Sequence, residues 1–372
     1  MIDIKQITRN KTSLESWLKL CLTNKIGSRT IFKLLEYFGT VDSILSQNLN
    51  TLERFINPAI AKLIYEKTSN QVVEASLLWL ENKHSGTKRH IISIEDAKYP
   101  KELLEISDPP LILYLEGNIS LLENKKFAIV GTRHPTAQGI ENARSFGQNL
   151  SNNGLTVVSG VASGIDRYAH IGALDGKSST IGVIGAGIDI VYPKNNNDVY
   201  NKILENGLLI SEFGIGTAPV PKNFPRRNRV IAGLSLGLLV VESAIDGGSM
   251  ISANLALDMG REVMAIPGSI FNPVAKGCHK LIKSGAKLVE NINDILEEIN
   301  INPRKLCNYT NNNDVSQDDP VLREMGFEPI SIDAICEKVQ LSFSDLCAKL
   351  LEFELTGSIT NCGGGYYQRI FK

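Results

Sequence analysis

The sequence predicts an α/β fold: a parallel sheet covered by helices on both faces, with a helical unit before it and a winged-helix-like unit after it. Three observations carry this. From Phe127 to about Ile299, short continuous apolar runs alternate with helical stretches. Residues 12 to about 85 read as helical throughout. Beyond a polar stretch, residues 320–370 pattern as helices followed by a hairpin. Continuous rather than alternating apolar strands, separated by helices, mark a parallel sheet buried on both sides.

In the first unit, residues 1–90, Ile31, Leu34, Leu35 and Phe38 fall at i, i+3, i+4 and i+7 and make one apolar helix face. Gly27 and Gly39 punctuate that helix. Short helices joined by glycine turns fit either a small packing bundle or a helix-hairpin-helix, whose turn amides meet phosphate. Strand-like HIISI follows, then a segment in which Pro100, Pro109 and Pro110 bar a continuous helix, then the strand LILYL.

The core spans residues 91–300. Its strands are FAIVG, LTVVSG, TIGVIG, LLISE, LGLLVVE and EVMAIPG, with KLVE as a weaker last one. Its final helix places Ile292, Ile295, Leu296 and Ile299 on one face. Residues 301–319, with NYTNNNDVSQDD at their centre, read as a linker. In residues 320–372, Ile332, Ile335, Cys336 and Val339 share a helix face, and Ser344 is expected to cap a second helix through Leu355. Strands then flank Gly363-Gly364-Gly365. That second helix carries only Lys349 and ends in acids, which favours protein contact over DNA contact for this unit.

Composition excludes some classes and leaves others open. Lys+Arg number 39 and Asp+Glu 40, a formal charge of −1, so nucleic-acid binding would have to rest on local clusters. The N-terminus lacks the apolar core of a signal peptide. The longest apolar stretch, around Val230–Val241, is too short for a membrane span of roughly 20 residues. The six cysteines contain no CxxC, so reduced thiols in a cytoplasmic protein are expected and no metal site is.

The core strands end in loops rich in glycine, serine and basic residues. Gly131, Thr132 and Arg133 follow the first strand. Ser159, Gly160, Ser163 and Gly164 follow the second. Gly185 and Gly187 follow the third and lead to Lys194. The stretch Phe224-Pro225-Arg226-Arg227-Asn228-Arg229 follows the fourth, Gly248 and Ser249 the fifth, and Pro267-Gly268-Ser269 the sixth. In open α/β sheets ligands bind at this edge, beside helix N-termini. Taken alone, FPRRNR is a solvated basic turn or one wall of a phosphate pocket. Six such loops on one edge imply a phosphate-rich ligand.

Several motifs fail their structural context. GLSLG (233–237) matches the serine-hydrolase elbow, which needs a strand before the serine and a helix after it; the order here is reversed. GAGIDI (185–190) ends in Ile190 where a dinucleotide fingerprint needs Gly or Ala, so no NAD and no other cofactor is expected. Asp166 and His170, at i and i+4, are a structural pair or an acid–base pair.

The ordered motifs VGTRHPTAQG, SGVASGIDRYAH, TIGVIGAGIDIVYPKNN, LISEF, FPRRNRVIAGLS, LLVVESAIDGGSMISANLAL, GREVMAIPGS and KGCHKLIKSGA resemble the bacterial DNA-processing protein A family, DprA or Smf. The resemblance covers residues 95–300 strongly and the terminal units more loosely. It implies an extended Rossmann-like domain between an N-terminal SAM or helix-hairpin-helix-like unit and the winged-helix-like unit. It further implies a cytoplasmic, non-enzymatic protein that binds single-stranded DNA, protects incoming strands and loads the RecA recombinase in natural transformation. A homodimer formed through about residues 279–299 follows from the same likeness. By it, Arg133 and Lys194 grip phosphates, Phe224, Arg227, Asn228 and Arg229 complete the rim, and Ser163 and Gly164 donate amides. Arg226 occupies a variable place and is expected to face solvent.

The chain departs from that family at Thr132, where serine is common, and at Cys278-His279, where Thr-Asn is more usual. The rival reading is a nucleotide-binding enzyme related to nucleoside-monophosphate phosphoribohydrolases, which carry PGGxGTxxE. Aligned on Gly247-Gly248, that motif's Gly, Thr and Glu positions fall on Met250, Ile251 and Asn254, so its catalytic acid is missing. Asp246 and Glu242 are the substitutes in reach.

Overall fold

A computed structural model of the chain describes residues 13–23, 26–66, 70–82, 86–301, 319–339 and 341–370. Cys307 and most of the expected linker lie outside them.

Twelve strands are described. They are β1 (Arg89–Ser93), β2 (Ile112–Gly117), β3 (Lys126–Val130), β4 (Thr156–Gly160), β5 (Thr180–Val183), β6 (Leu208–Ser211), β7 (Gly237–Val240), β8 (Glu262–Ala265), β9 (Lys287–Leu288), β10 (Ile330–Ser331), β11 (Ile359–Gly363) and β12 (Tyr366–Arg369). The first nine form one sheet in the order β1-β2-β6-β5-β4-β3-β7-β8-β9. All pairs from β6 to β9 across that order are parallel; β2 runs antiparallel to β6, and β1 to β2. The six expected core strands and the weak seventh are therefore present, and β3 to β6 bury every residue.

From β3 the chain steps outward through β4, β5 and β6, then returns to β7 on the other side of β3. Loops after β3 and β7 thus diverge, opening a crevice at the carboxyl edge. The two loops are stitched at their root by the Thr132 amide donating to the Glu242 carbonyl at 2.8 Å.

The N-terminal helices pack against β1 and β2 and share one apolar core with the sheet. Ile31, Leu34 and Leu35 are buried on Ser28–Phe38, which Gly39 ends at φ +79°. Ser28, just after the glycine turn, donates its hydroxyl to Asp108, so this turn is tied to the loop before β2.

Residues 319–339 and 341–370 have a core of their own around Leu322, Ile335, Leu346, Leu350 and Phe353. The sheet order β10-β12-β11 and the preceding helices are those of a winged helix. One expectation changes: the cap of Phe343–Leu355 is Ser342, whose hydroxyl accepts from the Asp345 amide, and Ser344 lies inside the first turn. Three residues separate cap and donor in the usual N-cap geometry, which Ser342 satisfies.

Candidate functional site

The helix Asn223–Leu234 decides the site. At 3.6 residues per turn, Phe224, Arg227, Asn228 and Ile231 share one face, and Arg226 and Arg229 lie on the opposite one. The first four line a cleft of about 590 Å³ at the carboxyl edge of the sheet. Its other walls include Gly131, Thr132, Arg133, Gly248 and Ser249. A smaller cavity of about 140 Å³ opens from it behind Phe224, lined by Ser163, Gly185, Tyr192 and Tyr200 among others. Arg133, Tyr192, Phe224 and Arg227 border both spaces.

Phe224 is the hinge of this arrangement. The Arg133 guanidinium lies 5.5 Å and that of Arg227 6.0 Å from its ring centroid, and the Tyr192 ring is 5.9 Å away. Two cations thus meet at one aromatic ring, each attracted to the ring and repelled by the other.

Arg227 is buried and pinned. Its Nη1 donates to the Val183 carbonyl at 2.6 Å and its Nε to the Asn228 side chain at 3.1 Å. Gly160 makes room for it: a Cβ there would lie 2.1 Å from Arg227 Nη1. Asp166, also on the cleft wall, is pushed up to about 6 by burial, against the pull of Arg227. Burial lowers the Arg227 guanidinium in turn, with Asp166 opposing. Among the described residues neither Arg133 nor Arg227 forms an ion pair.

Three helices reach the cleft without a side-chain cap, Ile165–Leu174 from Gly164, Asn223–Leu234 from Lys222 and Gly248–Asp258 from Gly247. By contrast Ala137–Asn152 is capped by Thr136, and Glu242 accepts from the Thr136 amide at 2.9 Å and from its hydroxyl at 2.6 Å. Open N-termini offer free amides and a positive dipole end to an anion.

Some predicted residues lie elsewhere. Arg229 is a correction: it faces away from the cleft, paired with Glu212 and with Asp108 at 3.6 Å, and it binds the Asp108 carbonyl. It therefore fastens the helix to the loop that also holds Ser28. Arg226, more than half exposed, pairs with Glu212 at 3.3 Å and covers the Phe213 ring. Gly187 is buried in a turn closed by its own amide on the Thr217 carbonyl and lines neither space. Ser159 is fully buried and donates to the Ile129 carbonyl at 2.6 Å, so its hydroxyl braces β4 against β3. Gly164 sits at φ +80° against the Thr132 carbonyl, a position closed to a side chain. Lys194 is exposed on the turn Lys194–Asn196, beside the small cavity and outside its lining.

Asp166 and His170 do not act as a couple. His170 Nδ1 meets Thr180 Oγ1 at 2.7 Å, and burial holds the ring neutral by taking it down to about 3. Residues the sequence reading left unassigned include Tyr192, Tyr200, Pro219 and Ser243. Tyr192 was signalled by its place in the loop after β5; the others carried no motif.

The family model of DNA recombination-mediator protein A matches residues 90–300. The chain belongs to that family. The DprA winged helix domain matches residues 310–365. Protein Smf of Escherichia coli K12 is 34% identical over 361 residues, 95% of each chain. DNA processing protein DprA of Streptococcus pneumoniae is 40% identical over 274 residues, 73% of this chain and 94% of its own. The crystal structure of the pneumococcal protein overlays with a TM-score of 0.68 at 37% identity, covering 78% of this chain and 99% of that one. A solved structure of DNA processing protein A from Helicobacter pylori, described for its single-stranded DNA binding mode, overlays with a TM-score of 0.52 at 31% identity, covering 57% of this chain and 95% of that one.

In this member of the recombination-mediator family, the acids weighed for nucleotide cleavage stand apart from the cleft. Glu242 is engaged by Thr136, and Asp246 is exposed outside the lining. Among the described residues, no cluster of three or more His, Cys, Asp or Glu could hold a metal, and no helix is long and apolar enough to cross a membrane.

Proposed function

We propose that this protein binds single-stranded DNA along the carboxyl edge of its sheet and acts without turnover, protecting incoming strands and loading RecA recombinase during natural transformation. One observation carries the binding reading. Residues 90–300 contain seven arginines. Five have a carboxylate partner, and the two without one, Arg133 and Arg227, meet at Phe224. Guanidinium groups outside any ion pair, an aromatic ring beside them and uncapped helix ends are the means of holding phosphates and a stacked base.

The family and its Helicobacter pylori member support the same reading. RecA as a partner, the cytoplasmic setting and a homodimer through about residues 279–299 complete the proposal. The units are 1–90, 91–300, a linker at 301–319 and 320–372.

A salt titration of labelled oligo-dT tests it. Log K should fall with log salt by about 0.7 per phosphate neutralised, and duplex should bind more weakly because a stiff helix cannot follow the cleft. Salt-independent binding would refute it. One observation favours the nucleotide-cleaving alternative, the Asp166 carboxyl on the cleft wall with its raised pKa. Free base released from a nucleoside monophosphate would establish that alternative.

A further inference from the structure

The loop after β8 holds the most exposed large apolar side chain among the described residues, Phe271 at 86%. An aromatic face displayed near cations is the kind of platform on which a base of a single strand stacks. The loop is a built turn. The Asn272 amide bonds the Ser269 carbonyl at 3.1 Å, Asn272 Oδ1 accepts from the Val274 amide at 3.1 Å, and His279 Nε2 meets the Gly268 carbonyl at 3.0 Å.

Phe271 lines an outer cleft of about 430 Å³ whose core wall offers uncharged hydrogen-bonding groups, Gln138, Asn142, Ser269 and Asn272. This space adjoins the phosphate cleft, since Glu242 lines the first and its neighbour Ser243 the second. Both lie at the carboxyl edge of one parallel sheet. The next helix, Lys276–Lys283, exposes Lys276, Lys280 and Lys283, and among the described residues none of them has a carboxylate partner.

We propose that the loop Pro267–Asn272 is a second subsite for the same single strand, with Phe271 as a base-stacking platform and Lys276 and Lys280 taking the neighbouring phosphates. This rests on the single-strand reading of the main cleft. The polar amides that line the space with the ring and the exposed lysines on the helix that follows suit a nucleotide, whose bases want stacking and hydrogen bonds and whose backbone wants cations. Acids also line the space, Glu242 on the core side and Glu328 on the winged-helix side, so the phosphates would run outside it, toward the lysines of the next helix.

Oligo-dT of about 4 and about 16 nucleotides, the span of single-strand site sizes, separates the subsites. Phe271→Ala should weaken the longer strand roughly 5- to 150-fold and leave the shorter one unchanged. Phe271→Trp should retain affinity and lose fluorescence as the strand binds; the two native tryptophans, Trp17 and Trp79, are both buried. Phe271→Ala binding both lengths like wild type, with an unquenched Phe271→Trp, overturns the subsite. So does a change in self-association with strand binding intact, which makes the ring a protein contact. Arg133→Ala runs alongside: if it too binds both lengths like wild type, the main-cleft reading has failed, and if it alone loses affinity, only the subsite has.

Discussion

Arg133→Ala and Arg229→Ala remove the same charge from neighbouring parts of one sheet edge, and they should fail in opposite ways. Arg133 is exposed beside the Phe224 ring and, among the described residues, forms no ion pair. Its truncation should leave stability within about 0.5 kcal/mol of wild type. If it holds a phosphate, the lost charge-assisted contact is worth about 1–3 kcal/mol, or roughly 5- to 150-fold in affinity. The slope of log K on log salt should become shallower by about 0.7. Arg229 has a side chain only 10% exposed, paired with a Glu212 side chain 5% exposed. Breaking a buried pair from one side costs about 3–5 kcal/mol, and the low end applies because Arg226 still reaches Glu212. Denaturant melts and oligo-dT titrations at two or more salt concentrations measure both effects. An Arg229→Ala protein of full stability with a shallower salt slope would refute the division of this helix into a binding face and a fastening face.

Three further outcomes follow from the same geometry. Gly160→Ala should displace the Arg227 guanidinium and weaken strand binding by about 1–3 kcal/mol; adding Arg227→Ala should then cost little more, a non-additivity that a double-mutant cycle reads. Phe224→Leu should lose about 1–3 kcal/mol of stacking with the salt slope unchanged, checked in the same titrations. Asp166 is raised in the folded state from 3.8 to about 6, so its contribution is fully present below pH 3.8 and is lost as pH rises through about 6. At about 1.4 kcal/mol per unit, Asp166→Asn should be more stable than wild type by up to about 3 kcal/mol at pH 7 and equal to it near pH 3.8, as melts across pH would show. Strand affinity of the wild type should also fall as pH rises through this range, and that of Asp166→Asn should fall less.

Much of the fold was legible because burial on both sheet faces leaves continuous apolar runs, and β3 to β8 lie where those runs fall. The loops could be assigned to one edge because parallel strands share a direction. The interior of FPRRNR was not legible as a block. Read linearly, it is one basic cluster; wound into a helix, it sends Arg227 to the cleft and Arg229 to Glu212. The signal was present in LISEF, where an acid closes a strand that faces a basic stretch. Finding its partner needs the helix phase as well as the motif. Asp166 and His170 mislead for the reverse reason. Spacing of i, i+4 puts two side chains on one helix, but His170 turns to Thr180 on the adjacent strand.

The same pairing would let a chain of charge −1 hold the proposed phosphate site. Affinity for a polyanion depends on the local potential, and that potential depends on which cations lack acids nearby. Most core arginines here are neutralised by a specific carboxylate, Asp175, Asp198, Glu212 or Glu105. Arg133 and Arg227 are spared, and the nearest acid on the cleft wall, Asp166, is one that burial inclines toward its neutral form. A phosphate arriving beside Arg227 would raise Asp166 further and draw a proton onto it, so strand binding and proton uptake reinforce each other near pH 6.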